Sequence, residues 1–203
     1  MAQLFRSEVL LHTGMLIFFS FVLFGCTTTY RYKASSIHPR PYPAPALGSQ
    51  QIKRYVDAVN QIRAEGRRCG EAGYFRAAAP LRWSDALYRS SYEHSRDMWR
   101  SRVFGHRGSH GASDWTAKVQ HLGHGSSFKE RIENNGYTKW RRIAENIESG
   151  AHSVDEVMQH WMQSAGHCKN IMNPEFEVFG MARVGRNGSK HDYYWTQDFA
   201  SHQ

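Results

Sequence analysis

Residues 176–199 read FEVFGMARVGRNGSKHDYYWTQDF. Two apolar, aromatic-rich runs, Phe176 to Val184 and His191 to Phe199, flank Gly185-Arg186-Asn187-Gly188. An Asn-Gly pair between such runs signals a β-hairpin, because both residues tolerate the positive φ of a tight turn. Everything upstream is mainly helical in pattern. Ser153-Val154-Asp155-Glu156 fits a capping box, and the helix it opens carries Val154, Val157, Met158, Trp161 and Met162 into a core. Trp140 to Ile147 reads as a strand, with Ile143, Glu145 and Ile147 on one side by period two. Ser127 starts a helix with Phe128 and Ile132 on one face and Asn135-Gly136 at its end. The glycine- and histidine-rich stretch 105–125 is a loop holding a short helix between Asp114 and Leu122. Ser84 caps a helix from Asp85 to about Arg102, through Leu87, Ser91, His94 and Met98. Ile52, Tyr55, Val56, Val59 and Ile62 follow the i, i+3, i+4, i+7 rule, giving a helix over 50–65 that Gly66 stops. Helices first and an antiparallel hairpin late specify the α+β class.

The chain has 203 residues, 40% hydrophobic and 22% charged, the balance of one globular core rather than a disordered tail. Lys+Arg 26 against Asp+Glu 18 leaves a formal charge of +8, which favours anionic surfaces. Pairs such as Arg67-Arg68 and Arg141-Arg142 are dispersed and lack interleaved aromatics, so no specific nucleic-acid partner is expected. No run reaches the roughly 18 to 20 apolar residues that span a bilayer, which excludes a polytopic membrane protein. Met15 to Gly25, MLIFFSFVLFG, has the length of a signal-peptide core. Leu23-Phe24-Gly25-Cys26 resembles the bacterial lipobox, so residues 1–25 are expected to be a signal peptide and Cys26 to be lipidated. The alternatives are an ordinary cleaved signal or a short uncleaved anchor. Pro39, Pro41, Pro43 and Pro45 alternate within residues 26–49, which reads as an extended tether to the membrane ahead of a domain over 50–203. In a two-membrane bacterium Thr27, not being Asp, would direct the chain to the outer membrane, as lipoprotein sorting patterns imply.

Beyond Cys26 only Cys69 and Cys168 remain. An exported chain most economically pairs them, and closing that 99-residue interval stabilises by about 4 to 5 kcal/mol on the chain-entropy account. The other reading makes Cys168 a nucleophile activated by His167, although sequence neighbours seldom form a good dyad.

The strings His94-Ser-Arg-Asp-Met98, Phe104-Gly-His106, Gly136-Tyr137, Glu145-Asn146-Ile147, Trp161-Met-Gln-Ser164, Gly166-His167-Cys168-Lys-Asn170-Ile-Met-Asn-Pro174, Gly180-Met-Ala182 and Tyr194-Trp195-Thr-Gln-Asp-Phe-Ala200 occur in this order. Together they resemble the bacterial branch of the CAP superfamily (cysteine-rich secretory proteins, antigen 5, pathogenesis-related 1; SCP-like). The resemblance covers about residues 50–200 and implies a three-layer α-β-α sandwich around a central antiparallel sheet. It also implies a cleft with two histidines and acidic residues that binds a divalent metal. Residue by residue, His106 matches the first cleft histidine, Glu145 the glutamate of the Glu-Asn motif and His167 the second histidine. The position of a second family glutamate holds Ser164, which lowers the negative charge of the site.

On chemistry alone, two neutral imidazoles can ligate Zn²⁺ or another divalent ion, with Glu145 as third ligand or as base for a bound water. No local HExxH supports this, and twelve histidines make coincidental clusters common. His110, His121 and His124 offer a second, loop-borne candidate, while His94 and Asp97 read as a structural pair on one helix. Ser95 beside His94 is no nucleophile-base pair, since adjacent helical residues point about 100° apart. Three functions compete. The favoured one is an exported, membrane-anchored module whose cleft binds a metal ion, lipid or extracellular partner. The alternatives are a metal-dependent, protease- or nuclease-like hydrolase of the cell envelope using His106, Glu145 and His167, and a basic protein held on an anionic envelope polymer.

Overall fold

The computed structural model describes residues 30–31, 37–186 and 193–203. The leader, Cys26 and the Asn187-Gly188 turn lie outside them. The elements are β1 (Tyr30–Arg31), α1 (Ser49–Arg63), β2 (Arg67–Arg68), a 3-10 turn (Gly70–Ala72), β3 (Tyr74–Phe75) and β4 (Arg82–Trp83), then α2 (Asp85–Ser101), α3 (Trp115–Val119) and α4 (Phe128–Asn134). They are followed by β5 (Trp140–Ser149), α5 (Val154–Gln163), α6 (Ala165–Met172), β6 (Val178–Gly185) and β7 (Tyr193–His202). Local signals set the helix starts. Ser84 Oγ accepts from Leu87 N, and Ser127 with Glu130 completes a capping box. Only half of the box expected at Ser153 forms: Ser153 Oγ takes the Glu156 N–H, while the Glu156 carboxylate takes the His152 N–H instead.

The main sheet has the order β1-β5-β7-β6-β4. β7 is the centre, antiparallel to β5 on one side and β6 on the other. One departure from an all-antiparallel sheet sits at the edge, where the two-residue β4 pairs parallel to β6. α2, α3 and α4 cover one face, and α1, α5 and α6 cover the other, giving the α-β-α sandwich. Along β5, Ile143 and Ile147 enter the clusters under α2 and α4, whereas Ala144 packs with Val157, Met158 and Trp161 of α5. Trp161 and Trp195 are fully buried in the α1/α5 core. Gly180 lets α2 lie directly on β6: a Cβ there would sit 2.1 Å from Tyr88 N.

Cys69 and Cys168 form a disulfide with Cα atoms 5.4 Å apart, tying the loop after α1 to α6. Cys168 is therefore no free thiolate, and the nucleophile reading falls.

Residues 38–47 correct another expectation. They are free of helix and strand, yet they do not stand off the domain as a spacer. Asn134 Oδ1 accepts from Arg40 N at 3.1 Å and Asn135 Oδ1 from Tyr42 N at 2.8 Å. Arg40 O accepts from Trp115 Nε1, and Pro45 O from the Tyr88 hydroxyl. Tyr42 is buried against Tyr92 and Trp115. An extended proline-rich strand has no internal hydrogen bonds, so its carbonyls and remaining N–H groups are available to side chains of α2–α4. The packed part of the chain thus begins near His38 rather than Gln50.

Candidate functional site

Glu145 sits mid-strand on the α2-facing side of β5, where its side chain has no exposure. Both carboxylate oxygens are committed. Oε1 lies 2.9 Å from His106 Nδ1, and Oε2 accepts from Arg131 Nη2 at 2.7 Å. Arg131, on the buried face of α4, also donates from Nη2 to His106 O at 3.0 Å and from Nη1 to Ser126 O at 2.6 Å. One guanidinium thereby fixes the carboxylate and the loop that presents His106. His94, on α2 and fully buried, approaches Glu145 Oε1 to 4.0 Å and donates from Nε2 to Gly105 O at 2.8 Å. The expected His94–Asp97 pairing is not formed. Asp97 instead accepts from Ser109 N, Ser109 Oγ and Ser113 Oγ.

The electrostatics follow from this packing. Burial alone would raise Glu145, but the adjacent Arg131 charge, with the two histidines, holds its carboxyl well below the usual range. Asp198 stands directly across the ladder from Glu145. Its pKa goes the other way, raised by burial and by the Glu145 charge. Burial and then Arg131 push His94 down to about 4, which keeps it neutral. Beside an ionised Glu145, His106 Nδ1 must be the donor. Its Nε2 then carries the lone pair, on a side chain 30% exposed.

His167 is carried by α6, on the opposite face of the sheet. β1 covers β5 only at Arg142 and Ile143, and α6 lies along the strand beyond. An amide network seats it there: Asn146 Nδ2 donates to His167 O and to Gln197 Oε1, and Asn170 Nδ2 donates to Asn146 Oδ1 at 2.9 Å. Burial lowers His167 to about 4, and the His106 charge acts in the same direction. Ser164, half-buried between α5 and α6, contributes no charge.

The structure thus joins His106 to Glu145 directly and ties the His167 backbone to β5 through Asn146. Among the described residues no three His, Cys, Asp or Glu side chains gather as a metal-ligand set. This corrects Glu145 as a third ligand: its oxygens are occupied and its charge is matched by Arg131. With Glu145 committed, the candidates left for a divalent ion are the imidazoles of His106 and His167. The loop histidines do not gather either, His110 Nε2 instead meeting Leu122 O at 3.1 Å. Sequence reasoning missed Arg131 and the role of His94, though both lie on apolar helical stripes, Phe128-Arg131-Ile132 and Leu87-Ser91-His94-Met98. A polar or charged side chain there needs a buried partner.

A family model for cysteine-rich secretory proteins, CAP, matches residues 56–199. The chain belongs to the CAP family. Among curated relatives, the uncharacterized protein YkwD of Bacillus subtilis is 31% identical over 156 residues, 77% of this chain and 49% of YkwD. The uncharacterized membrane protein YlbC of the same organism is 24% identical over 72% of this chain and 33% of YlbC. This CAP chain therefore spans half or less of the length of those relatives. Among solved structures, an SCP-domain extracellular protein of Bacillus anthracis superposes with a TM-score of 0.52 at 20% identity, covering 77% of this chain and 45% of that one. An outer surface protein of Borrelia burgdorferi gives 0.56 at 14% identity, covering 76% and 95%. These likenesses agree on the CAP fold.

Proposed function

We propose that this CAP domain is an exported binding module of the cell envelope whose cleft takes a divalent cation through His106 and His167. The observation that carries the reading is the hydrogen bond from His106 Nδ1 to a carboxylate that Arg131 keeps ionised. A carboxylate behind an imidazole fixes its tautomer and raises the basicity of the other nitrogen, the arrangement that prepares histidine for a metal. Export is supported by the signal-like segment Met15–Gly25, the disulfide, and the extracellular and outer-surface descriptions of the structural relatives. Anchoring through a lipidated Cys26, to the outer membrane where there are two, belongs to the same proposal. No described helix is long and apolar enough to cross a membrane.

Zn²⁺ titration calorimetry on the protein and on His106→Ala and His167→Ala tests the cation. Either substitution should remove most of the binding while leaving the helical CD spectrum in place. Binding should fail as pH drops toward 4, where His167 protonates. Equal affinity in wild type and His106→Ala would move the cation to the histidine-bearing loop around His121 and His124.

A hydrolytic reading has one observation in its favour, the His106–Glu145 dyad, which has the form of a base with its orienting carboxylate. No hydroxyl or thiol is hydrogen-bonded to His106 among the described residues, so the base would have to act on water. Turnover of a peptide or nucleic-acid substrate that disappears in Glu145→Gln would select it.

A further inference from the structure

Val103 and Phe104 are adjacent and 51% and 52% exposed, and with Tyr74 they are the large apolar side chains left open among the described residues. They stand on a rigid turn. α2 ends when Arg102 enters the left-handed region, φ 62, and donates its N–H to Met98 O, which swings the following chain outward. Ser101 Oγ accepts from Val103 N at 3.2 Å and donates to Asp97 O at 2.7 Å. On the far side, the Phe104 ring lies 6.4 Å from Tyr194, and Gly105 O accepts from the buried His94. The apolar pair is therefore presented, not merely frayed.

Its surroundings are basic. Arg96 lies over the Tyr42 ring and Arg100 over the Trp99 ring, while Arg102 and Arg107 flank the apolar pair in sequence, Arg107 Nη1 donating to Gly125 O. None of these four arginines is in an ion pair among the described residues. The carboxylate nearest in sequence, Asp97, is buried and fully engaged with Ser109 and Ser113. A shallow groove of about 680 Å³ runs from Arg96 and Arg100 past Val103 to Ser109 and Ser113.

We propose that the Arg102–Phe104 turn is a membrane-contact tip. Val103 and Phe104 enter the headgroup layer of an anionic bilayer while Arg96, Arg100, Arg102 and Arg107 meet lipid phosphates. Exposed apolar side chains ringed by uncompensated arginines match the chemistry of that interface, where apolar burial and charge attraction act together. A soluble polyanion would use the arginines and leave Phe104 without a role. The tip precedes His106 by two residues, so docking would bring the mouth of the cleft to the lipid surface. The inference depends on neither a cation in the cleft nor lipidation of Cys26.

Hydrogen–deuterium exchange on the full chain decides it, with vesicles of equimolar phosphatidylglycerol and phosphatidylcholine compared with phosphatidylcholine alone. Exchange of the 102–105 amides should slow on the anionic vesicles only. At about fivefold in partitioning per basic residue near an anionic surface, Arg100→Gln with Arg102→Gln should cut that protection roughly tenfold or more. Phe104→Ser should cut it too, and because these side chains are exposed, exchange in α2 without vesicles should match wild type. Equal protection on both vesicle types would overturn the proposal, as would protection indifferent to Phe104→Ser. Equal protection by soluble polyphosphate would replace the lipid with a polyanion.

Discussion

On the α2-facing side of β5 and β7 the chain buries Glu145 and Asp198 beneath His94 and Arg131. One residue along each strand, on the α5/α6-facing side, it buries Asn146, Gln197, Trp195 and Phe199. The same two strands therefore support a charged layer and a neutral one. In the charged layer each group responds to a neighbour's charge: Arg131 keeps Glu145 ionised, and the Glu145 charge raises Asp198 and fixes the His106 tautomer. In the neutral layer Asn170, Asn146 and Gln197 are linked by amide hydrogen bonds, with further bonds to the His167 and Glu145 carbonyls, and large rings fill the rest. The first layer prepares chemistry at the cleft, and the second holds α6, and with it His167, against the strand.

Removing a central group from each layer should cost similar stability and differ in pH dependence. Arg131→Met strands a buried carboxylate and should lose about 3–5 kcal/mol near neutral pH. Glu145's folded-state pKa is depressed, so its stabilisation is present above the ordinary carboxylate range and lost as pH falls through the folded value. Without Arg131, burial raises the Glu145 carboxyl, so the folded variant takes up a proton as pH falls from 7 toward 5 and the Arg131→Met deficit should shrink across that window. Trp161→Ala should lose about 3–5 kcal/mol by leaving a cavity, with the same deficit at pH 5 and pH 7. Urea denaturation at the two pH values breaks the comparison if both variants, or neither, respond to pH.

Reducing the Cys69–Cys168 disulfide should cost about 2–5 kcal/mol. It should loosen α6 and His167 more than the His94–Arg131–Glu145 layer, as amide exchange on reduced and oxidised protein would show. Two titratable thiols at these positions in native material would contradict the bridge itself.

His94 offers another handle, of the same sign as Glu145: both make stability fall in acid. Its pKa is lowered to about 4, so above the ordinary imidazole range folding costs nothing in protons. Between about 6.5 and 4 the unfolded chain binds the proton and the folded one does not, so stability falls as pH falls. His94→Gln, which keeps a donor for Gly105 O, should remove a slope on the order of 3 kcal/mol across that window. Smaller still, Asn170→Ala should cost about 1–3 kcal/mol by leaving the Asn146 carbonyl oxygen unsatisfied, with no added pH dependence.

Features carried by local physics were legible in the sequence. Serine caps fixed where α2, α4 and α5 begin, and period two along β5 put Glu145 beside Ile143 and Ile147 on one face. The contacts that needed a distant partner were hidden. Nothing in Arg82-Trp83 announces a parallel pairing with Val178-Phe179. Alternating prolines look like a spacer until Asn134 and Asn135, more than ninety residues on, supply their hydrogen bonds. Arg131 lies only 14 residues before Glu145, yet its meaning depends on α4 folding over the strand.

The central claim is that an Arg131-held carboxylate sets the His106 imidazole with Nε2 free. Imidazole ¹⁵N NMR above pH 7 tests it most directly, with the His106 and His94 signals assigned by their loss in His106→Gln and His94→Gln. The account predicts opposite tautomers for the two rings: Nδ1–H in His106, donating to Glu145, and Nε2–H in His94, donating to Gly105 O. An Nε2–H tautomer in His106 would contradict it.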